Sequence, residues 1–210
     1  MKKKYGDVAS WAVWEEVGDR PKSNMGHQNI FDLRKNPNLL ALLRNNVVMI
    51  GLNFSRPVDA TQAFINFHDL NPRANDFKIR FAFRDTEFYG AYMTDVIKNI
   101  EMKDSRNVKS LLKGNIDLVS KNISKLREEF ADLNCKRPIL LAFGVEAYTL
   151  LKKNMRDREY SHLIRLTHYS HQISKEDYKK EVFDQIRVEI PEFAEKQRKK
   201  FKKESIASDK

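Results

Sequence analysis

Short apolar runs that end in polar residues constrain the fold of this chain more than any other sequence feature. The clearest run is residues 47–50, which Gly51, Leu52 and Asn53 follow directly. Four consecutive apolar residues beside a glycine are typical of a strand buried on both faces. The glycine lets backbone or ligand approach closely where the strand ends. Asn53 is therefore expected at the carboxyl end of a central strand, where open α/β sheets bind their ligands.

Later segments repeat this pattern, with helical periodicity between them. The predicted strands are residues 88–97, 137–144 and 162–167. The predicted helices are residues 108–130 (one or two helices, with Gly114 as the weak point), residues 146–154, and a last helix with Ser174 as its N-cap. Strands that alternate with helices predict an α/β fold, a three-layer sandwich with a central, mainly parallel four-stranded sheet.

The amino-terminal half gives less regular signals. Residues 10–14 predict an edge strand, and residues 33–43 predict a helix that leads into the first central strand. Residues 59–68 have apolar positions at helical spacing and predict a short helix or turn. Residues 78–83 alternate between apolar and other positions, which predicts a strand or extended loop.

Length and composition indicate a soluble globular protein. The chain has 210 residues, of which 41% are hydrophobic and 32% charged. We expect one domain over residues 1–190 and a basic tail over residues 191–210. No apolar run approaches the roughly 20 residues that span a bilayer, and no apolar stretch follows the lysines at residues 2–4. We therefore expect no export signal, no membrane partner and a cytoplasmic location.

The net charge of +10 favours a polyanionic partner, and DNA is the partner we expect. Six of the positive charges lie in the tail, at residues 196–203, and the rest of the chain is mildly basic without them. A generic basic surface, or a solvated tail that has frayed from a helix, would give the same composition. Charge alone therefore favours nucleic acid without establishing it.

Metal and cofactor chemistry has little support in the sequence. Cys135 is the single cysteine, so no cysteine-ligated metal centre is possible, and we expect it to pack beside a strand. His168 and His171 could ligate a metal, but no third and fourth ligand is evident. The sequence contains no Gly-x-Gly-x-x-Gly motif and no P-loop. We expect no metal and no cofactor.

Three strand-end motifs follow one another in the order seen in a known family. These motifs are residues 51–55 (Gly-Leu-Asn-Phe-Ser), residues 92–95 (Tyr-Met-Thr-Asp) and residues 168–170 (His-Tyr-Ser). Over roughly residues 45–175 the chain resembles the uracil-DNA glycosylase superfamily. The resemblance implies a uracil-DNA glycosylase-like fold and hydrolysis of the N-glycosidic bond of a damaged or deaminated base.

The resemblance also assigns roles to particular residues. Asn53 corresponds to the residue that orients the attacking water, and His168 to the donor that stabilises the departing base. Phe67, or alternatively Phe54, would stack on the flipped base. Residues that would contact the DNA backbone or flank the site are Ser55, Ser170 and His171.

Some residues depart from the family pattern, and one of these departures affects recognition of the target base. Asp95 stands where the family commonly has an asparagine that reads uracil. An ionised carboxylate has no proton to donate to a base carbonyl, so it better suits a base that offers two donors. Phe54, Tyr169 and His171 replace prolines of the family motifs. The sequence therefore gives no specific support for uracil as the target base, and Asp95 could also make no contact with the base.

Plainer interpretations of the same residues remain open. Asn53 and His168 could be structural strand-end residues, Asp95 could pair with a basic side chain, and Phe67 could belong to the core. Two other functions also fit: a non-catalytic nucleobase or nucleic-acid binding module on the same fold, and an unrelated α/β enzyme that acts on a small anionic metabolite. No oligomer is implied, and we expect a monomer.

Overall fold

A five-stranded sheet lies at the centre of the computed structural model, which describes residues 1–15, 28–54, 63–69, 71, 74–98, 100–102 and 104–191. The strands are β1 (Ala9–Trp11), β2 (Arg44–Asn53), β3 (Ala91–Ile97), β4 (Ile139–Phe143) and β5 (His162–Leu166). Their order across the sheet is β1-β3-β2-β4-β5. The pairs among β2, β3, β4 and β5 are parallel, whereas β1 pairs antiparallel with β3 at the edge.

Helices connect the parallel strands, as a parallel sheet requires. They are α1 (Lys2–Tyr5), α2 (Leu39–Leu42), α3 (Phe77–Phe83), α4 (Ser105–Lys113), α5 (Ile116–Asp132), α6 (Val145–Asn154) and α7 (Lys175–Glu189). Two short 3-10 helices span Gln28–Phe31 and Asp157–Glu159.

Both faces of the sheet are buried, because the central strands are apolar on each side. Along β2, Val48 and Ile50 belong to one core cluster, whereas Val47 and Met49 belong to the other. The first cluster lies under α4, α5 and α6, and the second lies under α3 and α7. This double burial explains why the strand is a continuous apolar run and does not alternate.

The predicted α/β fold with a mainly parallel sheet is confirmed, with one change in strand number. The sheet has five strands and not four, because the predicted edge strand at residues 10–14 forms β1 and adds to β3. The predicted long helical region is two helices that are separated at Gly114. Ser174 caps α7, and its hydroxyl accepts a hydrogen bond from the backbone N–H of Asp177 (2.9 Å).

Two predictions in the amino-terminal half are wrong. Residues 78–83 form most of helix α3 and not a strand. The buried positions Ile79, Ala82 and Phe83 follow a helical period, whereas Phe81, which completed the alternating pattern, is only partly buried. The helix predicted over residues 33–43 is reduced to the four residues of α2.

The predicted short helix or turn at residues 59–68 lies partly outside the described residues. Its described part forms turns, in which Phe64 and Phe67 have positive φ angles of 69° and 63°. The basic tail at residues 192–210 also lies outside the described residues. Within the described ranges, no helix has both the length and the apolar character that crossing a membrane requires.

Candidate functional site

A cavity of about 550 Å³ opens at the carboxyl ends of β2, β3, β4 and β5. Its described lining consists of residues 51–53, Asp69, residues 74–76, Asp95, Met102, residues 143–147 and residues 168–170. This is the edge at which parallel α/β sheets bind ligands, because side chains from several strand ends meet there.

Asn53, Asp95 and His168 all line this one cavity. Strand register explains how the first two meet, since Gly51 of β2 pairs with Asp95 of β3 and Asn53 lies two residues beyond Gly51. On the other side of β2, Phe143 of β4 pairs with Leu166 of β5, and the chain reaches His168 two residues later. Three residues that are far apart in the sequence therefore share one site.

The protonation of His168 is fixed by its neighbour Ser170. The Nδ1 atom of His168 accepts a hydrogen bond from the backbone N–H of Ser170 (3.1 Å) and lies 2.8 Å from the Ser170 hydroxyl oxygen. Because Nδ1 is an acceptor, the proton of the neutral ring is on Nε2. Among the described residues, Nε2 has no hydrogen-bond partner, so the ring offers one N–H donor to a ligand.

Burial keeps this imidazole uncharged. It lowers the pKa of His168 to about 4, because desolvation disfavours the cation. The ring stacks on Tyr169 with a centroid distance of 4.3 Å and packs against Gly144. At neutral pH His168 is therefore a hydrogen-bond donor without positive charge.

Asp95 is a buried carboxyl group at the bottom of the site, with only 2% of its surface exposed. Its Oδ2 atom accepts a hydrogen bond from the side-chain amide of Asn66 (2.9 Å). Burial raises the pKa of Asp95 to about 6, and the Asn66 hydrogen bond and the positive charge of Lys98 oppose that rise. A Cβ atom on Gly51 would lie 2.2 Å from Oδ1 of Asp95, so the glycine is what admits the carboxyl group.

Asn66 is a site residue that the sequence did not reveal. Its amide nitrogen donates to the backbone carbonyl of Val8 (3.2 Å) as well as to Asp95. The turn that carries Asn66 is fixed by His68, whose buried ring has Nε2 3.0 Å from the Val13 carbonyl oxygen and Nδ1 3.1 Å from the Ser10 hydroxyl. No short motif marks this arrangement, because it joins a loop to the distant strand β1.

Asn53 has a structural contact in addition to its place in the cavity. Its amide nitrogen lies within hydrogen-bond distance of three backbone carbonyls, those of Phe54 (2.7 Å), Ile100 (3.1 Å) and Met102 (2.9 Å). These contacts therefore hold the loop after β3 against the end of β2. Its oxygen accepts no hydrogen bond from the described residues and is the atom that can hold a water molecule.

The aromatic residues that line the cavity differ from those the sequence suggested. Phe143 and Tyr169 line it, in a T-shaped contact with a centroid distance of 5.5 Å. Phe67 lies behind them in the core, 5% exposed, and contacts both rings. Neither Phe67 nor Phe54 is part of the described lining. Phe143 was not predicted as a site residue, because it is the last apolar residue of a predicted strand and was assigned to the core.

The predicted phosphate-contacting residues have separate positions. Ser170 is exposed and lines the cavity, with its hydroxyl against His168. His171 is exposed and not part of the described lining, and its carbonyl oxygen accepts a hydrogen bond from Nζ of Lys78 (2.6 Å). Ser55 lies outside the described residues.

The cavity is acidic, although the chain as a whole carries a net charge of +10. Four carboxyl side chains belong to its described lining, and no lysine or arginine does; the four are Asp69, Asp76, Asp95 and Glu146. Sequence analysis gave no role to Asp69 and Asp76, because neither follows a predicted strand.

The described residues contain no group of three or more His, Cys, Asp and Glu side chains arranged to hold a metal ion. Comparisons with protein-family models, with curated proteins and with solved structures find no match for this chain.

Proposed function

We propose that this protein is a DNA glycosylase-like hydrolase that breaks the N-glycosidic bond of a damaged base, on a uracil-DNA glycosylase-like fold. The observation that carries the proposal is the neutral His168 ring, whose Nε2–H has no hydrogen-bond partner among the described residues and which shares one cavity with Asn53 and Asp95. A cavity of about 550 Å³ with aromatic walls also suits a single flipped base.

In this proposal His168 stabilises the leaving base. As the bond between C1′ and the base nitrogen lengthens, the electron pair moves onto the base, and a base atom gains acceptor character. A preorganised N–H donor aimed at that atom is worth about 3 kcal/mol at the transition state in comparable oxyanion sites. Because Ser170 holds Nδ1 as an acceptor, the donor needs no reorientation when the charge develops.

In this proposal Asn53 positions the attacking water and does not act as a general base. Its amide nitrogen is occupied by the backbone carbonyls of the loop that includes Ile100 and Met102, and this fixes the direction of its oxygen. An amide oxygen can accept a hydrogen bond from water but cannot take its proton. The attacking water is thus oriented toward C1′ and loses its proton after the bond to the sugar has formed.

The second candidate is a non-catalytic binding module on the same fold, and one observation favours it. The contacts of Asn53 with three backbone carbonyls give this residue a structural reason to be present without any chemistry. An enzyme for a small anionic metabolite fits less well, because the described lining has four carboxyl side chains and no lysine or arginine.

A panel of oligonucleotides, each with one damaged base, tests the proposal when alkali treatment is used to reveal abasic sites. We expect release of at least one base, and we expect His168→Ala to lower kcat by about 10²–10³-fold. His162→Gln, at the opposite end of β5, is the matched control and should keep the activity. Binding without release of any base would favour the binding module and contradict the glycosylase.

A further inference from the structure

The electrostatic character of the cavity points to a particular class of base. Asp69, Asp76 and Asp95 line the cavity together with Tyr169. Burial raises the pKa of the Tyr169 phenol well above its usual value, and the charges of these carboxyl groups add to that rise. The described lining of the cavity therefore has more acidic than basic side chains.

Among the described residues, two lysines near the cavity are held in ion pairs, and the amino end of α6 also contributes to its electrostatics. The amino end of α6 faces the cavity and favours negative charge, but Glu146 lies in its first turn and already supplies it. Lys109 pairs with Glu146 (2.9 Å) from an exposed position. Lys98 is buried against Glu129 (2.8 Å) and is not part of the described lining. His168 is neutral.

Asp95 is a carboxyl group of the lining whose orientation is fixed by a side-chain hydrogen bond. Its Oδ2 is held by Asn66, whereas Oδ1 lies against Gly51 within the cavity lining and accepts no hydrogen bond from the described residues. An oxygen in this state accepts hydrogen bonds and favours positive charge in a ligand. Phe143 and Tyr169 add aromatic faces, which attract cations through their ring quadrupoles.

We propose that the cavity takes a positively charged, N-alkylated base, such as a 7-methylguanine, in preference to a neutral base such as uracil. This inference rests on the proposed function for its chemistry, but the preference for charge can be measured by binding alone. The Asp95 oxygen and the aromatic walls each favour a cation, and the other carboxyl groups of the lining act in the same direction.

Excision of a cationic base is consistent with a site whose proposed groups are a water-orienting amide and a neutral hydrogen-bond donor. In a cationic nucleotide the bond between C1′ and the base nitrogen breaks with its electron pair moving to the base, which leaves as a neutral molecule. The oxygen of water forms the new bond to C1′, and the extra proton goes to solvent. No base has to be protonated in order to leave, so a water-orienting amide and a neutral donor are sufficient.

Two measurements test the inference separately from the proposed function. The first compares binding of 7-methylguanosine and guanosine at pH 6.5 by calorimetry, with wild-type protein, Asp95→Asn and the exposed control Glu128→Gln. We expect the methylated, cationic nucleoside to bind at least about tenfold more tightly to wild type and Glu128→Gln. We expect Asp95→Asn to lose most of that difference. Equal binding of the two nucleosides to wild type would overturn the inference, whether or not the protein is an enzyme.

The second measurement follows base release by chromatography. The substrates are duplex DNA methylated with dimethyl sulfate and duplex DNA that contains uracil or hypoxanthine. We expect methylated bases to be released with a kcat/KM at least about tenfold higher than for uracil, and Asp95→Asn to reduce this ratio. Release of uracil or hypoxanthine without methylated bases would overturn the inference while supporting the glycosylase proposal. Tight binding of 7-methylguanosine without any release would support the inference and contradict the glycosylase.

Discussion

At the scale of single residues, Asp95 is a group whose charge opposes folding. It is buried, and burial raises its pKa from the ordinary value of 3.8 to about 6. An acid whose pKa is higher in the folded state binds its proton more tightly there. Its contribution to stability is complete below pH 3.8 and is lost as the pH rises through 6. A buried carboxylate retained at this cost is typical of a functional site.

We expect Asp95→Asn to stabilise the protein above pH 6, because the amide keeps the shape and never ionises. A shift from 3.8 to about 6 corresponds to about 3 kcal/mol in the free energy of unfolding at pH 7.5. The gain should fall to zero near pH 4. Chemical denaturation of wild type and variant between pH 4 and pH 8 measures it, with Glu128→Gln as the exposed control. A difference that does not depend on pH would contradict this assignment.

At the scale of elements, the pairing of β2 with β3 depends on Gly51, which has no side chain. Gly51 faces Asp95 across the two strands, and a Cβ atom there would meet Oδ1 at 2.2 Å and the ring of Phe67 at 3.2 Å. The sequence predicted that this glycine allows a close approach. The structure shows that a side chain of the neighbouring strand makes that approach, which brings a carboxyl group to the end of a buried sheet.

We expect Gly51→Ala to destabilise the protein by about 1–3 kcal/mol, since the added methyl group overpacks a buried position. In an Asp95→Ala background the same substitution should cost less, because the atom that it strikes is gone. A double-mutant cycle of unfolding free energies measures the coupling. Strict additivity of the two substitutions would show that the contact between β2 and β3 is not the cause. Gly114→Ala is a suitable control, since no atom lies within 4 Å of the added Cβ.

At the scale of the whole molecule, a buried ion pair joins the sheet to the helical layer above it. Nζ of Lys98, just after β3, lies 2.8 Å from Oε1 of Glu129 on α5, and both side chains are almost completely buried. Tyr92 donates its hydroxyl hydrogen to Oε2 of Glu129 (3.0 Å), and Lys98 also contacts Thr94 Oγ1 (2.6 Å) and the Asp95 carbonyl. The pair holds the strand end that carries Asp95 against α5.

We expect Lys98→Met to cost about 3–5 kcal/mol of unfolding free energy, because it leaves Glu129 buried without its counter-charge. The double variant Lys98→Met with Glu129→Leu should recover part of that loss, since both charges are then removed together. Thermal and chemical denaturation measure the two variants. A double variant that is less stable than the single one would contradict this account. The exposed pair of Lys180 and Asp184 offers a control with a much smaller effect.

Whether a site residue could be predicted depends on its position in the sequence. Asn53, Asp95 and His168 were predicted because each lies near the end of an apolar strand, where the strand ends of a parallel sheet meet, and because the three strand-end motifs resemble those of a known family. Asp69 and Asp76, which line the cavity, and Asn66, which donates to Asp95, could not be predicted, since none of them follows a predicted strand. The predicted stacking residue Phe67 was placed by spacing along the chain, whereas the turn that contains it directs its ring into the core.

The sequence by itself determined the α/β class, the parallel central strands, the break at Gly114 and the cap at Ser174. Each of these depends on local preferences or on periodic burial, and both are visible in consecutive residues. Tertiary structure alone decided that α3 is a helix, that Ser170 sets the tautomer of His168, and that the cavity of a basic protein is lined by carboxyl groups. Those properties depend on atoms that are distant in the sequence and meet only when the chain has folded.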